Sequence, residues 1–210
     1  MTSDIILIIP IVFLSVVIHE IAHGFAALKN GDHTARLMGR LTLNPLVHID
    51  IIGTILIPLV LIVTKAGFIF AWAKPVPINP NNFRNRKKGL IIVSLAGPLS
   101  NICFAFISAL FFAIINKFTK DIYLSKILIY MVQINIVFFI FNLLPLPPLD
   151  GSQFLYVFLP IQLKRMYEKI RPFSFIILIV IINTHFFRVI FSFLVENIYF
   201  SIFKIVSLIL

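Results

Sequence analysis

Apolar and polar positions alternate along this chain in whole segments, with no short repeating period. Ile5–Leu28 is apolar until His19, and a polar stretch with Lys29, Arg36 and Arg40 follows. Leu46–Val63 is apolar but broken by Gly53 and Pro58, and Ala66–Ala73 is a short apolar return. Lys74-Pro75-Val76-Pro77-Ile78-Asn79-Pro80 is predicted extended, because proline removes donors and biases its predecessors away from helix. A basic run (Arg84, Arg86, Lys87, Lys88) precedes the apolar segment Leu90–Ile115, and Ile127–Leu144 ends in Pro145-Leu146-Pro147-Pro148-Leu149-Asp150-Gly151. Lys164, Arg165, Lys169 and Arg171 lead into Phe173–Val195, and the tail Ile198–Leu210 is apolar but short for a crossing. Several of these segments approach the roughly 20 residues needed to cross a bilayer core.

Composition turns that pattern into a class. The chain is 60% hydrophobic, with a mean hydropathy of +1.05, against about 45–50% apolar for a soluble domain. The alternation of a transmembrane β-barrel is missing. The expectation is an all-α polytopic membrane protein of about four to six transmembrane helices, with Leu46–Ala73 a re-entrant hairpin between the first and second core helices. No repeat or linker interrupts residues 1–210, so a single domain is expected, with its core at about 5–155 and C-terminal membrane segments at 173–210. The formal charge of +10 does not indicate nucleic acid. The basic residues sit between apolar segments, where they suit cytoplasmic loops facing anionic lipid. Cys103 is the lone cysteine, so no intrachain disulfide forms. Met1-Thr2-Ser3-Asp4 has no basic residue and no cleavage site follows the first apolar run, which reads as a retained helix.

Charge also gives orientation. If Leu46–Val63 crossed alone, the clusters at Arg40 and Arg84 would face opposite sides; a hairpin keeps both inside, whereas a transmembrane pair is the rival arrangement. Non-helical backbone at that depth requires surrounding protein or a water-filled cavity. The first segment then runs outside to inside, Leu90–Ile115 inside to outside and Ile127–Leu144 back. His19–His23 falls in the inner half of its helix, and Gly97–Asn101 roughly 11–16 Å in from the same side at 1.5 Å per residue. Asp150 follows the inner end of its own segment, so three polar groups reach similar depth near the cytoplasmic face.

His19 and His23 are four apart, share a helix face, and suit one Zn²⁺ through imidazole nitrogens. Glu20 follows the first histidine and can serve as general base towards a water. Ionisable residues inside an apolar helix are expensive and usually mark function. A catalytic zinc takes three protein ligands and keeps one position open. Among the eight acids, Asp4, Asp121 and Glu196 lie at the wrong depth or face, and Asp32 and Glu168 lie in basic loops. With Glu20 as base, Asp50 and Asp150 remain. A proline-broken helix end followed by Gly151 lets the short Asp150 carboxylate turn into the bundle, so elimination favours Asp150.

The chain resembles the site-2 protease family of intramembrane zinc metalloproteases. The resemblance is carried by His19-Glu20-Ile21-Ala22-His23, Ala96-Gly97-Pro98-Leu99-Ser100-Asn101, Asn142-Leu143-Leu144-Pro145 and Leu149-Asp150-Gly151, and spans about residues 5–155. Leu43-Asn44-Pro45-Leu46, His48-Ile49-Asp50 and Trp72-Ala73-Lys74-Pro75-Val76-Pro77-Ile78-Asn79-Pro80 are similar to its short bacterial subgroup, which lacks PDZ and CBS modules. Ile51 stands where that subgroup has proline after the aspartate. The resemblance implies one zinc per chain held by His19, His23 and Asp150, with Glu20 as base. It also implies Asn101 and Asn142 near the substrate backbone, where an amide supplies donor and acceptor together. The alternative for Asn101 is interhelical glue, worth about 1 kcal/mol. Implied partners are membrane-spanning protein or peptide substrates and the lipid bilayer, in a multi-pass protein of the cell membrane with its active site towards the cytoplasm.

Other polar residues have plainer readings. His48 and Asp50 cap Leu46–Val63 or pair behind the metal site, His33 is a solvated loop residue, and His185 is a packed, hydrogen-bonded histidine. Lys74–Pro80 either offers an extended edge to a substrate strand or plugs the cavity. The 23 phenylalanines are lipid-facing or core bulk. The competing function is a zinc-binding transporter or scaffold. A transporter, however, places its ligands on interrupted, repeat-related helices at the midplane, and Glu20 would then have no task.

Overall fold

The computed structural model describes residues 2–56, 60, 63–64, 73–119 and 121–209. Among these residues the chain is helical, without strands, and four helices are long and apolar enough to cross a membrane. Helix α1 (Thr2–Lys29) carries the two histidines, α2 (Arg86–Phe118) and α3 (Ile122–Asn142) form an antiparallel pair, and α4 (Asp150–Phe158) begins at the candidate carboxylate. Two shorter helices, α5 (Ile161–Ile170) and α6 (Ser174–Asn183), lead to α7 (His185–Ile209). The protein is a multi-pass membrane protein.

Local sequence sets the helix ends. Gly31 takes φ 107°, the Gly31 N–H donates to Leu28 O and the Asp32 N–H to Ala27 O. This is the glycine-terminated cap that satisfies a helix's last carbonyls. Asn85 accepts from the Lys88 N–H and Asp121 from the Tyr123 and Leu124 N–H groups, capping α2 and α3. These caps start both helices about four to five residues ahead of the apolar runs from which they were expected; the hydrogen-bonding side chain, not the first apolar residue, decides where the helix begins.

Helix α2 is central, packing against α1, α3, α4 and α7. Its Ala105 and Ala109 are fully buried against Val132, Ile136 and Ile140 of α3 and Ile202 and Val206 of α7. Small residues let membrane helices approach closely.

The C-terminal segmentation differs from expectation. Residues 173–195 are not one span. The chain breaks at Thr184, whose hydroxyl accepts from the Phe187 N–H, so α7 starts at His185 and runs 25 residues through the tail. Its length of roughly 37 Å at 1.5 Å per residue suffices to cross, so the tail belongs to a full span. His185 is exposed at the start of α7 and is not the packed histidine expected. His33 is exposed, as expected of a loop residue. Residues 57–59, 61–62 and 65–72, which include Pro58, Gly67 and Trp72 and most of the expected re-entrant hairpin, lie outside the described residues. In the described part, Asp50 Oδ1 accepts from the Gly53 N–H, and the Asp50 N–H donates to Thr54 Oγ1. Asp50 therefore caps the wide helical turn Ile51–Leu56.

Candidate metal centre

The register of α1 places His19 and His23 one turn apart on the face turned towards α2, both buried. Asp150 arrives from α4, because Gly151 lets the first turn of α4 lie on the end of α3. A Cβ at Gly151 would overlap the carbonyl oxygens of Leu143 and Leu144. Three atoms then converge: His19 Nε2 and His23 Nε2 lie 3.0 Å apart, and Asp150 Oδ2 lies 3.1 Å from the first and 3.2 Å from the second. Among the described residues these three form the one His/Cys/Asp/Glu group compact enough to hold a metal ion.

The remaining ring nitrogens decide what lies between those atoms. His23 Nδ1 is 2.7 Å from Val93 O, a backbone acceptor, so Nδ1 carries the proton and Nε2 presents a lone pair. His19 Nδ1 is 2.7 Å from Asn101 Oδ1, with the same consequence. Asp150 Oδ2 is buried without a hydrogen-bond donor of its own. Three lone pairs facing one another in a buried site repel unless a cation joins them. Tetrahedral bonds of about 2.0–2.1 Å to zinc separate donor atoms by roughly 3.3 Å, which this triangle nearly matches. The residues fit zinc.

Gly97 of α2 forms the floor. A Cβ there would run into His23 Nε2 and the Cε1 and Nε2 atoms of His19. The small residue is therefore a requirement of the site, a task that the motif around it does not disclose.

Glu20 lies on α1 next to the first histidine, and its Oε2 accepts from the Val76 N–H at 2.7 Å. Val76 belongs to the extended strap of residues 73–79, which is tied down along its length. The Lys74 N–H donates to His48 O, Arg40 Nη2 donates to Lys74 O at 2.7 Å, and the Asn79 N–H donates to Asp32 Oδ2 at 2.7 Å. Buried His48 ties the approach to the strap, its Nε2 2.9 Å from Thr42 O. The extended conformation was legible in Pro75 and Pro77; the partner residues were not.

Asp32, set aside as a loop acid, is fully buried. Its carboxylate accepts from the Thr34 N–H and hydroxyl, the Asn79 N–H and the Asn82 amide. Burial pushes its pKa up, but these hydrogen bonds outweigh that and hold it below the ordinary carboxylate value. A carboxyl depressed in the folded state adds stability above its unfolded pKa of about 3.9, and that stability is lost as pH falls through the folded pKa. Asp32→Ala leaves buried donors unpaired, at roughly 1–3 kcal/mol for each such group. We expect a lower midpoint of thermal unfolding in detergent near neutral pH, and a gap to the parent that narrows below about pH 4.

The two asparagines part company. Asn101 is fully buried behind His19. Asn142, the last residue of α3, is half-buried and donates to its own helix at Phe138 O, 3.1 Å away. Both amides bond to protein groups, and neither touches the three-atom cluster directly except Asn101 through His19 Nδ1.

The model of peptidase family M50 matches residues 112–184, a stretch that contains Asn142 and Asp150. YwhC of Bacillus subtilis, which bears the provisional name of zinc metalloprotease, is 37% identical over 177 residues, covering 81% of this chain and 77% of that protein. The chain belongs to peptidase family M50. Rip2 of Mycolicibacterium smegmatis, named in the same provisional way, is 31% identical over 182 residues, covering 85% of this chain and 67% of Rip2. No solved structure matches this chain. The M50 membership carries the site-2 protease assignment made from the motifs, and with it a zinc-dependent metalloendopeptidase. The relatives align over most of the chain, a longer stretch than the family model matches.

Proposed function

We propose that this M50 peptidase hydrolyses peptide bonds in membrane-spanning segments of protein substrates, near the cytoplasmic side of the cell membrane. One zinc per chain would be held by His19, His23 and Asp150. The observation that carries the reading is the triangle of lone pairs, buried between helices long enough to span a bilayer and adjacent to Glu20. When bound, zinc supplies Lewis acidity, polarising the scissile carbonyl and making a water a better acid.

The chain's own groups do the rest. The Glu20 carboxylate takes a proton from the attacking water and delivers it to the departing amine nitrogen. The hydrogen bond from Val76 fixes the carboxylate through Oε2, which leaves Oε1 for that exchange. Burial of the three donors excludes bulk water, so charge at the reacting carbonyl is felt strongly. Asn142, the last residue of α3, would be available to an unwound substrate backbone if its amide left Phe138 O. Lys29 ends α1, Arg36 and Arg40 follow it, Arg84 and Arg86 precede or open α2, and Lys164 and Arg165 lie on α5. All are near the helix ends closest to the site in sequence, as expected if that face is cytoplasmic.

The test is cleavage of a single-span substrate in proteoliposomes, with the new termini mapped by mass spectrometry. A cut inside the apolar span, towards its cytoplasmic end, is expected. Cuts confined to the soluble flanks would refute the membrane-substrate reading while leaving the peptidase itself intact. We expect Asn142→Ala to lower the rate about tenfold, the worth of roughly 1.4 kcal/mol in a hydrogen bond, without changing zinc content.

A further inference from the structure

Behind His19 lies a chain of fully buried polar side chains that no catalytic step uses: Asn101 of α2, Asn135 of α3 and Ser15 of α1. Asn135 is a fully buried amide in a mostly apolar helix, where leaving it unpaired is expensive. Its Nδ2 lies 2.8 Å from Met131 O and 2.9 Å from Ser15 Oγ. Its Oδ1 accepts from Asn101 Nδ2 at 2.8 Å. Asn101 Oδ1 in turn faces His19 Nδ1.

The donor and acceptor roles along this chain are forced. Met131 O is a backbone carbonyl and only accepts, so the NH₂ of Asn135 must face it. Asn135 therefore presents oxygen to Asn101. Asn101 must answer with its NH₂, an orientation also favoured by Ser15 O at 3.4 Å. That turns the Asn101 oxygen towards His19, which must place its proton on Nδ1 and leave Nε2 unprotonated.

We propose that Asn135 is a positioning residue for the metal centre. Acting through Asn101, it sets the tautomer and ring orientation of His19 from about two side chains away. The proposal rests on His19 being a zinc ligand. It makes Asn101 an orienting group, and Ser15 a lesser one, because Met131 O alone already orders Asn135. Without Asn135 the Asn101 amide loses the acceptor that defines its direction. A flipped Asn101 would face His19 Nδ1 with NH₂ and favour the tautomer that cannot ligate through Nε2. Partners of metal-bound histidines are typically worth 10–100-fold in metal affinity.

The experiment compares parent and Asn135→Leu, a variant of similar shape, in detergent. Zinc affinity is measured by competition with a chromophoric chelator, and the ligand field by visible absorption after Co²⁺ substitution. Asn135→Leu should bind zinc about 10–100-fold more weakly, shift the Co²⁺ bands, and lower kcat with KM little changed. Adding Asn101→Asp to the Asn135→Leu variant should restore zinc affinity, since either carboxylate oxygen accepts from His19 Nδ1. A simple packing defect would not be rescued this way. If Asn135→Leu does not fold, Asn135→Ser serves, because its side chain is too short to bridge Met131 O and Asn101. Parent-like zinc affinity and Co²⁺ bands in the folded variant, or no rescue by Asn101→Asp, would overturn the proposal. Absence of zinc binding by the parent would instead overturn the ligand assignment on which it rests.

Discussion

Glu20→Gln should retain zinc and lose cleavage by about two to four orders of magnitude, the usual contribution of a positioned general acid–base group. The amide keeps the size of the carboxylate, and its oxygen still accepts from the Val76 N–H, so the strap stays in place. What disappears is the capacity to hold a proton between water and leaving amine. Equal zinc content with cleavage lost separates this role from metal binding and from folding. Parent-like cleavage by Glu20→Gln, measured on the same single-span substrate at matched zinc occupancy, would remove Glu20 from the mechanism.

Gly97→Ala should be nearly as damaging for a different reason. One methyl group would have to share the space of both imidazoles, and overpacking of this kind costs roughly 1–3 kcal/mol. Relief by displacing the rings breaks up the three-atom cluster, so zinc affinity should fall by about 10–100-fold, where each 1.4 kcal/mol is a factor of ten. Alanine is the better helix former by about 1 kcal/mol, which offsets part of that cost, so the thermal midpoint of the metal-free protein should hold or fall only slightly. A variant that stays folded but takes up zinc poorly is the expected signature. Full zinc affinity in Gly97→Ala would mean that the floor under the histidines is not as tight as the Cβ contacts indicate.

The parts of the site legible in the sequence are those encoded locally or by scarcity. His19 and His23 share a face through helix periodicity alone. Asp150 emerged because acids are few in an apolar chain and each had a depth. Gly97 is different: its importance lies in what would collide with it from another helix, 74 to 78 residues earlier in the chain. Asn135 shares its apolar run with two other amides, Gln133 and Asn142, and only three-dimensional contacts show that it is the fully buried one and give the relay its direction. Asp32 reads only as an acid in a basic loop because its four partner groups come from Thr34 and from residues 79–82 across the strap. The C-terminal break was readable in principle: Asn183-Thr184 inside an apolar stretch is a helix-capping pair, yet hydropathy weighs each side chain by polarity alone and passes over a cap. For Asn101 the sequence leaves substrate contact and interhelical glue both open; the structure adds its buried contacts with His19 and Asn135, which no local pattern discloses.

Zinc content of purified parent, His19→Ala, His23→Ala and Asp150→Ala, measured by mass spectrometry of the metal per chain after removal of loosely bound ions, tests the proposed centre most directly. About one zinc per parent chain and little in each variant is the expected result. Full occupancy in Asp150→Ala would contradict the assignment of the carboxylate that α4 brings to the two histidines.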